Sequence, residues 1–575
     1  MFGSSGRWTC LYSQTCTTRY TLGLDISTQS ISAVVLDVDA RAVTHQISLA
    51  YRDDSRLNGF GIESETLLLP PREPGEADQP PRMFLAGLDA VFSDLRDAGA
   101  PLGELAAIAV SAQQHGHVYL NNRAKTAIHN LQDTASGGTS GGTADLATRF
   151  SGVFAYPRAP VWQTANTDHE AAEIRRGVGG KDAVIALSGS DSPLRFTGAV
   201  IRRVGRRFPE AYRATARISL LSSFFSAVLS GNPETPIDWG NGSGMSLMDY
   251  RNRAWSDELV AVVAEGLPGG TSALRDKLPG LGEPTRIAGL IASYFTGRYG
   301  VNPGCLVTIG SGDNPQSKVM TSGDLLSLGS SFVYMVDTSE PAVDVQGYAN
   351  SMYDGVGRPF VFACRTNGAM VWDRTRAAID AGAATDFAAA DAILEATTPG
   401  STVEIWQPYA ESYPASPIIP NQSAGLVRDA RTVRSARPEL YPAIVDSTLS
   451  LIWHFARGFD RNSHGENPDE KRPLSVTGGP ARSAPVLRRI AAIWNRPVYT
   501  IGDAGAATGS AVSAWKAFCD HTGVAADLDA LCAGLLPRSE QIAPDPAIVS
   551  LYHGTGGSGG YIERLIARFA ELTRN

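Results

Sequence analysis

Three short polar stretches carry residue types suited to phosphate and hydroxyl chemistry. Asp25 stands just before Ser27-Thr28 at a small polar turn. A carboxylate beside amides that approach an anion is well placed to hold Mg²⁺, directly or through water. Capping the turn is the simpler use of the same residue. Asp313 follows Ser311-Gly312 and precedes Asn314-Pro315, where a strand gives way to a helix. A helix N-terminus stabilises an anion, so this carboxylate suits taking a proton from a hydroxyl that attacks a γ-phosphate. Plain N-capping competes with that reading. Gln113-Gln114-His115-Gly116-His117 is dense in donors and acceptors, as a ligand rich in hydroxyls requires.

These residues need strands and turns to hold them. Residues 20–37 read as an apolar strand, a small polar turn and a second β-rich strand, and 325–337 repeat the plan with a Gly-Ser-Ser turn. Small residues at each tip let backbone N–H groups approach an anion. Two hairpins, each opening a half of the chain, indicate a duplication able to hold a polyphosphate between its loops. Residues 106–120 form a strand that breaks at the polar tip and resumes. Residues 305–309 are a short buried strand leading to Asp313. Residues 208–230 have helical spacing through Ile218, Leu221, Phe225 and Val228. Residues 121–151, with SGGTSGG, read as a flexible surface loop, and 462–472 as a polar one. Past Gly478-Gly479-Pro480, Val486, Leu487, Ile490, Ile493 and Trp494 recur as on an amphipathic helix, and 498–501 return to strand. Alternation of this kind favours an α/β fold.

A chain of 575 residues exceeds what one core supports. Its 43% hydrophobic and 19% charged residues are ordinary for globular domains. The formal charge of −8, with no basic block, argues against nucleic-acid binding. No stretch is long and apolar enough to cross a bilayer, so no membrane partner is expected. Residues 1–19 lack the apolar core of a signal peptide and read as a disordered tail. Cys10, Cys16, Cys305, Cys364, Cys519 and Cys532 form no CxxC pair, which disfavours disulfide and zinc frameworks and fits free thiols in a reducing cytoplasm.

The segments LDISTQ, SAQQHG, PVWQTANT, RFTG, PIDWGNGSGM, SGDNPQS, SLGSS and TGGPARS, in this order between about Tyr20 and Phe518, resemble the FGGY carbohydrate kinases. Within that family they look most like xylulokinases of the larger, eukaryotic-like form. The resemblance implies a two-domain, duplicated actin-like ATPase (ribonuclease H-like) fold. Residues 20–315 would form the sugar-binding domain and 316–575 the nucleotide-binding domain, with the site in the cleft between. It implies ATP-dependent phosphorylation of D-xylulose at its 5-hydroxyl, with ATP and Mg²⁺, by a cytoplasmic monomer or homodimer. Asp313 would be the general base. Asn314, His115 and Arg195 would join it on the sugar, Arg195 by resemblance alone. Asp25 would attend the metal. Ser27, Thr28, Ser330 and Ser331 would face phosphate, and Gly478, Gly479 and Ser483 the nucleoside.

Four positions depart from the family pattern. Thr164 replaces an Asp after the Trp162 block, removing a charged acceptor for sugar hydroxyls. Ser32 stands where relatives carry Lys or Arg, Ser483 where they carry Asn, and Ala384 in place of a Trp beside adenine. These changes motivate two alternatives: a kinase for another ketose or polyol, and a sugar- or nucleotide-binding regulator weakened in catalysis. A chaperone-like ATPase of the same core fold fits less well, because nothing resembles a peptide-binding β-domain.

Overall fold

The first apolar hairpin forms β1 (Tyr20–Ile26) and β2 (Ser30–Asp37), followed by β3 (Ala42–Ala50). The structure, a computed structural model, describes residues 20–133, 144–329, 331–365, 368–379, 387–401, 405–407, 425–428, 431–433, 440–460, 472–502, 505–556 and 558–573. Ser330, Ala384, Cys10, Cys16, the 1–19 tail and nearly all of the 462–472 loop lie outside the described residues. Leu22, Leu24 and Ile26 on one face of β1 and Thr21 on the other are all buried, as expected of a strand covered on both sides. The chain continues through β4 (Leu105–Ala112), β5 (His117–Leu120), β6 (Arg217–Leu220), β7 (Ile287–Leu290), β8 (Leu306–Thr308) and β9 (Ser311–Gly312). The first sheet runs β7-β8-β4-β1-β2-β3, with β9 also against β4.

The second half supplies β10 (Leu325–Leu328), β11 (Phe332–Asp337), β12 (Ala349–Tyr353), β13 (Pro359–Arg365), β14 (Leu474–Thr477) and β15 (Val498–Thr500), in the order β12-β13-β11-β10-β14-β15. The two sheets share one plan. β3-β2-β1 and β13-β11-β10 are antiparallel neighbours, and β4-β8 and β14-β15 then continue β1 and β10 in parallel. The duplication read from the two hairpins is therefore a duplication of whole sheets.

Each half also lends a helix to the other. α1 (Asp313–Val319) ends in Val319, which packs in a cluster with Leu325, Val333, Met335 and Met352 of the second half. α2 (Ala506–Thr522) lies against β1, where Thr21 donates its hydroxyl to the Ala511 carbonyl at 2.8 Å. A Cβ on Gly23 would overlap the Ala507 carbonyl, and one on Gly509 the Gln316 carbonyl. These glycines permit a close helix–strand and helix–helix approach. A division of the chain after residue 315 cuts through α1, whereas the second sheet begins only at Leu325.

Two expected elements take other forms. Residues 208–230 are a helix over Pro209–Ala214, then β6, then a helix over Leu221–Ser230. Ile218 and Leu220 are buried in a strand paired with β5, so a local helical spacing lost to a long-range ladder. The described parts of 121–151 carry helices over Arg123–His129 and Leu146–Arg149, with Leu131, Leu146 and Phe150 buried in the core. The described flanks, 121–133 and 144–151, are thus held in the core, and the SGGTSGG stretch lies outside the described residues. The helix over Ala484–Trp494 forms as its spacing predicts, with Val486, Ile490, Ile493 and Trp494 buried. Cys305, Cys364, Cys519 and Cys532 are thiols that form no disulfide among the described residues. Among the described residues, no helix is long and apolar enough to cross a membrane.

Candidate active site

Strand register gathers the polar residues. β1 pairs with β4 so that Asp25 lies beside Ser111, and β9 places Ser311 on the other side of Ser111. The tips following these strands share one edge, outside the carboxyl ends of parallel strands, where ligands of open α/β sheets bind. Ser111 donates to Asp25 Oδ1 at 2.7 Å, and Ser27 donates to Oδ2. Burial raises the Asp25 carboxyl above its usual range, and the two hydroxyls oppose that shift. Among the described residues no three His, Cys, Asp or Glu side chains gather as metal ligands. A buried carboxylate facing a second one nonetheless suits Mg²⁺, which keeps several waters and takes its other ligands from phosphate.

Asp313 opens α1. The Asn314 backbone N–H and Nδ2 both donate to its Oδ1, at 2.8 and 3.1 Å, and Asn314 Nδ2 also reaches Gln114 Oε1 at 2.9 Å. Desolvation first, and the charge of Asp25 second, push the Asp313 carboxyl up to about 7, against the pull of the Asn314 and Gln114 backbone amides. A carboxylate poised near neutrality is suited to act as a general base. Asp238, buried behind β9, accepts from the Ser311 hydroxyl and from the Asn241 backbone N–H.

His115 holds a left-handed backbone at φ 66°, an uncommon conformation outside glycine. Its Nδ1 lies 2.9 Å from the Gly244 carbonyl. A carbonyl only accepts, so Nδ1 carries the proton and Nε2 offers a lone pair. Burial, then the charge of Arg195, lower this imidazole to about 3 and keep it neutral. The ring stacks on Phe196 with centroids 4.7 Å apart. A Cβ on Gly244 would sit 2.8 Å from His115 Cε1, so glycine is required there. His117 donates from Nδ1 to the His115 carbonyl at 2.8 Å and accepts from the Tyr119 hydroxyl at 3.0 Å, which steadies the unusual backbone.

Gln114, His115, Trp162, Arg195, Asp313 and Asn314 line one pocket. The guanidinium of Arg195 has no hydrogen bond or ion pair among the described residues, and burial lowers its pKa. Its guanidinium donors suit the oxygens of a ligand. The second half closes the pocket with Ser331, Val333, Asn350, Met352, Phe362 and Cys364. Alternation along β12 turns Asn350 and Met352 toward the pocket. Between them the Ser351 N–H bonds the Gly189 carbonyl at 2.9 Å, and the Tyr353 hydroxyl bonds the Tyr250 carbonyl at 2.7 Å. Sequence reasoning missed this wall, which carries no motif. Trp162 and Phe196 sat in the PVWQTANT and RFTG blocks without being singled out.

On the phosphate side, the Thr28 and Gln29 N–H groups at the first tip make no backbone hydrogen bond among the described residues. Ser331 stands at the second tip and lines the pocket. Gly478 has φ 101°, and a Cβ there would overlap the Leu328 backbone, while Gly479 faces open space. Ser27, Thr28 and Ser483, expected at the nucleotide, give their hydroxyl protons to other partners, Ser27 to Asp25. Thr28 donates to Gln113 and accepts from Trp162. Ser483 is fully buried, caps the Ala484–Trp494 helix and donates to Asp391 at 2.6 Å, which takes its side chain away from a nucleotide. Thr164 is buried with its hydroxyl on the Ala77 carbonyl at 3.2 Å, turned from the sugar residues. Ser32 sits opposite Asp25 across the hairpin and pairs with Ser48.

Comparison with known proteins agrees with this fold. Residues 156–319 match the family model described as FGGY family of carbohydrate kinases, N-terminal domain, and residues 325–518 match the corresponding C-terminal domain. A probable D-xylulose kinase A from Aspergillus fumigatus is 28% identical over 519 residues, covering 86% of this chain and 88% of its own. The xylulose kinase of Mus musculus is 27% identical over 513 residues, covering 88% and 87%. Among solved structures, xylulose kinase from Rhodospirillum rubrum superposes with TM-score 0.73 at 19% identity, covering 96% of this chain and 99% of that one. Gluconate kinase from Lactobacillus acidophilus gives 0.72 at 15%, covering 97% and 99%. These two structural likenesses speak for the fold.

Proposed function

Because the chain belongs to the FGGY family of carbohydrate kinases, we propose that it transfers the γ-phosphoryl group of ATP to the 5-hydroxyl of D-xylulose. The observation that carries this reading is Asp313, raised to about 7, in one pocket with neutral His115 and unpaired Arg195. The xylulose kinases among its relatives support the choice of sugar.

In this account Arg195 donates to sugar oxygens and His115 Nε2 accepts from a sugar hydroxyl. Asn314 uses its amide N–H groups on Gln114 and Asp313, so its side-chain oxygen is left to accept from the sugar. Asp313 takes the proton of the attacking hydroxyl as the oxygen–phosphorus bond forms and ADP leaves. The N–H groups of Thr28 and Gln29 face the phosphates from one half, and the Ser331 turn and Gly478-Gly479 from the other. Asp25 would hold Mg²⁺ through water, and the bound ion would neutralise charge on the phosphate oxygens. The wall of Val333, Met352 and Phe362 excludes water, which limits loss of ATP to hydrolysis.

The regulator alternative rests on Ser32, Thr164, Ser483 and Ala384, and the hydroxyls of Thr164 and Ser483 are held by the Ala77 carbonyl and Asp391. The test is ADP release with MgATP and a panel of D-xylulose, L-xylulose, D-ribulose, L-ribulose, xylitol, D-arabitol and glycerol. D-xylulose is expected to give the highest kcat/KM. A higher value for another member would reassign the sugar, and silence from folded protein would overturn the kinase reading.

A further inference from the structure

Behind the pocket, the side chains of Thr28, Gln113 and Gln79 close a ring of hydrogen bonds through the Thr28 carbonyl, and Trp162 on the pocket side donates into it. Trp162 Nε1–H donates to the Thr28 hydroxyl at 2.8 Å, and that hydroxyl donates to Gln113 Oε1 at 3.1 Å. Gln113 Nε2 donates to Gln79 Oε1 at 2.8 Å, and Gln79 Nε2 returns to the Thr28 carbonyl at 2.8 Å while also reaching the Leu67 carbonyl at 2.8 Å. The direction of every bond is forced. The Thr28 and Leu67 carbonyls only accept, so Gln79 Nε2 donates to both and its Oε1 accepts from Gln113 Nε2. That leaves Gln113 Oε1 to take the single Thr28 proton, while the Thr28 oxygen accepts from the indole N–H. Reversing Gln79 would set its oxygen against the Thr28 and Leu67 carbonyls, and reversing Gln113 would set its oxygen against that of Gln79.

A phosphate is recognised by donors. The only proton on the Thr28 hydroxyl is committed to Gln113, so this side chain has none left for an anion, whereas its backbone N–H does. Gln113 in turn is tied to the end of β1 by its N–H on the Ile26 carbonyl at 2.9 Å, and it precedes Gln114 and His115. The Trp162 indole forms part of the pocket. The ring thus fixes a pocket wall and the phosphate-facing tip to each other.

We propose that Thr28 is a positioning residue, whose hydroxyl locks the Trp162 wall of the sugar pocket to the β1–β2 tip and does not ligate phosphate. The proposal rests on the kinase reading for its sugar arm only. Two measurements on the full chain test it. In the first, MgATP binding is followed by calorimetry without sugar. Thr28→Val is expected to bind within about twofold of the wild type, and a loss of about tenfold, the worth of one charge-assisted hydrogen bond, would make Thr28 a phosphate ligand and overturn the proposal.

In the second, KM is measured for the best sugar of the panel. Thr28→Val and Trp162→Phe each remove one side of the same bond, so each is expected to raise it about tenfold, and the double variant no further. Multiplying effects, or an unchanged KM in Thr28→Val, would overturn the proposal. Thr28→Ser keeps the hydroxyl and is expected to restore the wild-type KM; failure to do so would contradict the role of that group. A silent sugar panel counts against the kinase reading, while the MgATP arm still decides on Thr28.

Discussion

The two halves of this molecule share a strand plan and divide the work unequally. In the proposed mechanism the first half contributes the side chains that do chemistry: Asp25, His115 and Asp313, each at or near the end of a first-half strand, and Arg195, between β5 and β6. The second half contributes apolar wall from Val333, Met352 and Phe362 and close backbone approach at Gly478. A duplicated scaffold supplies two facing strand edges, and only one needs reactive groups if the other presents amides and an apolar wall. Side-chain changes in the first half should therefore alter turnover and sugar handling. Backbone changes in the second half should alter nucleotide handling.

The largest expected effect is that of Asp313→Asn. Losing the general base should cut kcat by about a thousandfold, while sugar and MgATP affinities measured by calorimetry stay near those of the wild type. A large loss of sugar affinity would show that Asp313 chiefly binds. Gly478→Ala should do the opposite. It forces a side chain into a left-handed backbone against Leu328, costing about 1–3 kcal/mol, and should weaken MgATP binding about tenfold with sugar affinity retained. Equal losses on both sides would erase the division between the halves.

A subtler effect concerns pH. The Asp313 carboxyl is raised to about 7, and the base must be unprotonated, so kcat/KM should rise with pH through neutrality. Asp25→Asn removes a neighbouring negative charge and should move the Asp313 titration, followed by carbon NMR of the metal-free protein, to lower pH. The same raised value means the folded chain binds this proton more tightly than the unfolded one. Stability from this group should then fall as pH rises from the ordinary carboxylate range through about 7. Asp313→Asn should remove that slope from urea melts. The smallest effect is Ser483→Ala, which should cost about 1 kcal/mol through the lost helix cap and leave MgATP affinity unchanged.

Local pattern made some of this legible in the sequence. Both hairpins, the strand before Asp313, the polar tip at 113–117 and the Ala484–Trp494 helix follow from residue types within a few positions of one another. Distant contacts were not legible. The register that sets Ser111 beside Asp25, the turning of Thr164 to Ala77, and the ring through Gln79 into which Trp162 donates join residues 34 to 134 positions apart. The misread stretch at 208–230 has the same cause, since a partner strand about a hundred residues earlier, β5, decides Ile218. Arg195 has no local pattern to mark it and came from family resemblance alone.

The proposed reaction moves phosphorus from ATP to a sugar hydroxyl in this pocket. Phosphorus NMR of the protein with MgATP and D-xylulose tests it directly. The account predicts loss of the γ-phosphate signal matched one for one by a new sugar phosphomonoester. Formation of inorganic phosphate alone, or intact ATP in the presence of folded protein, would contradict it.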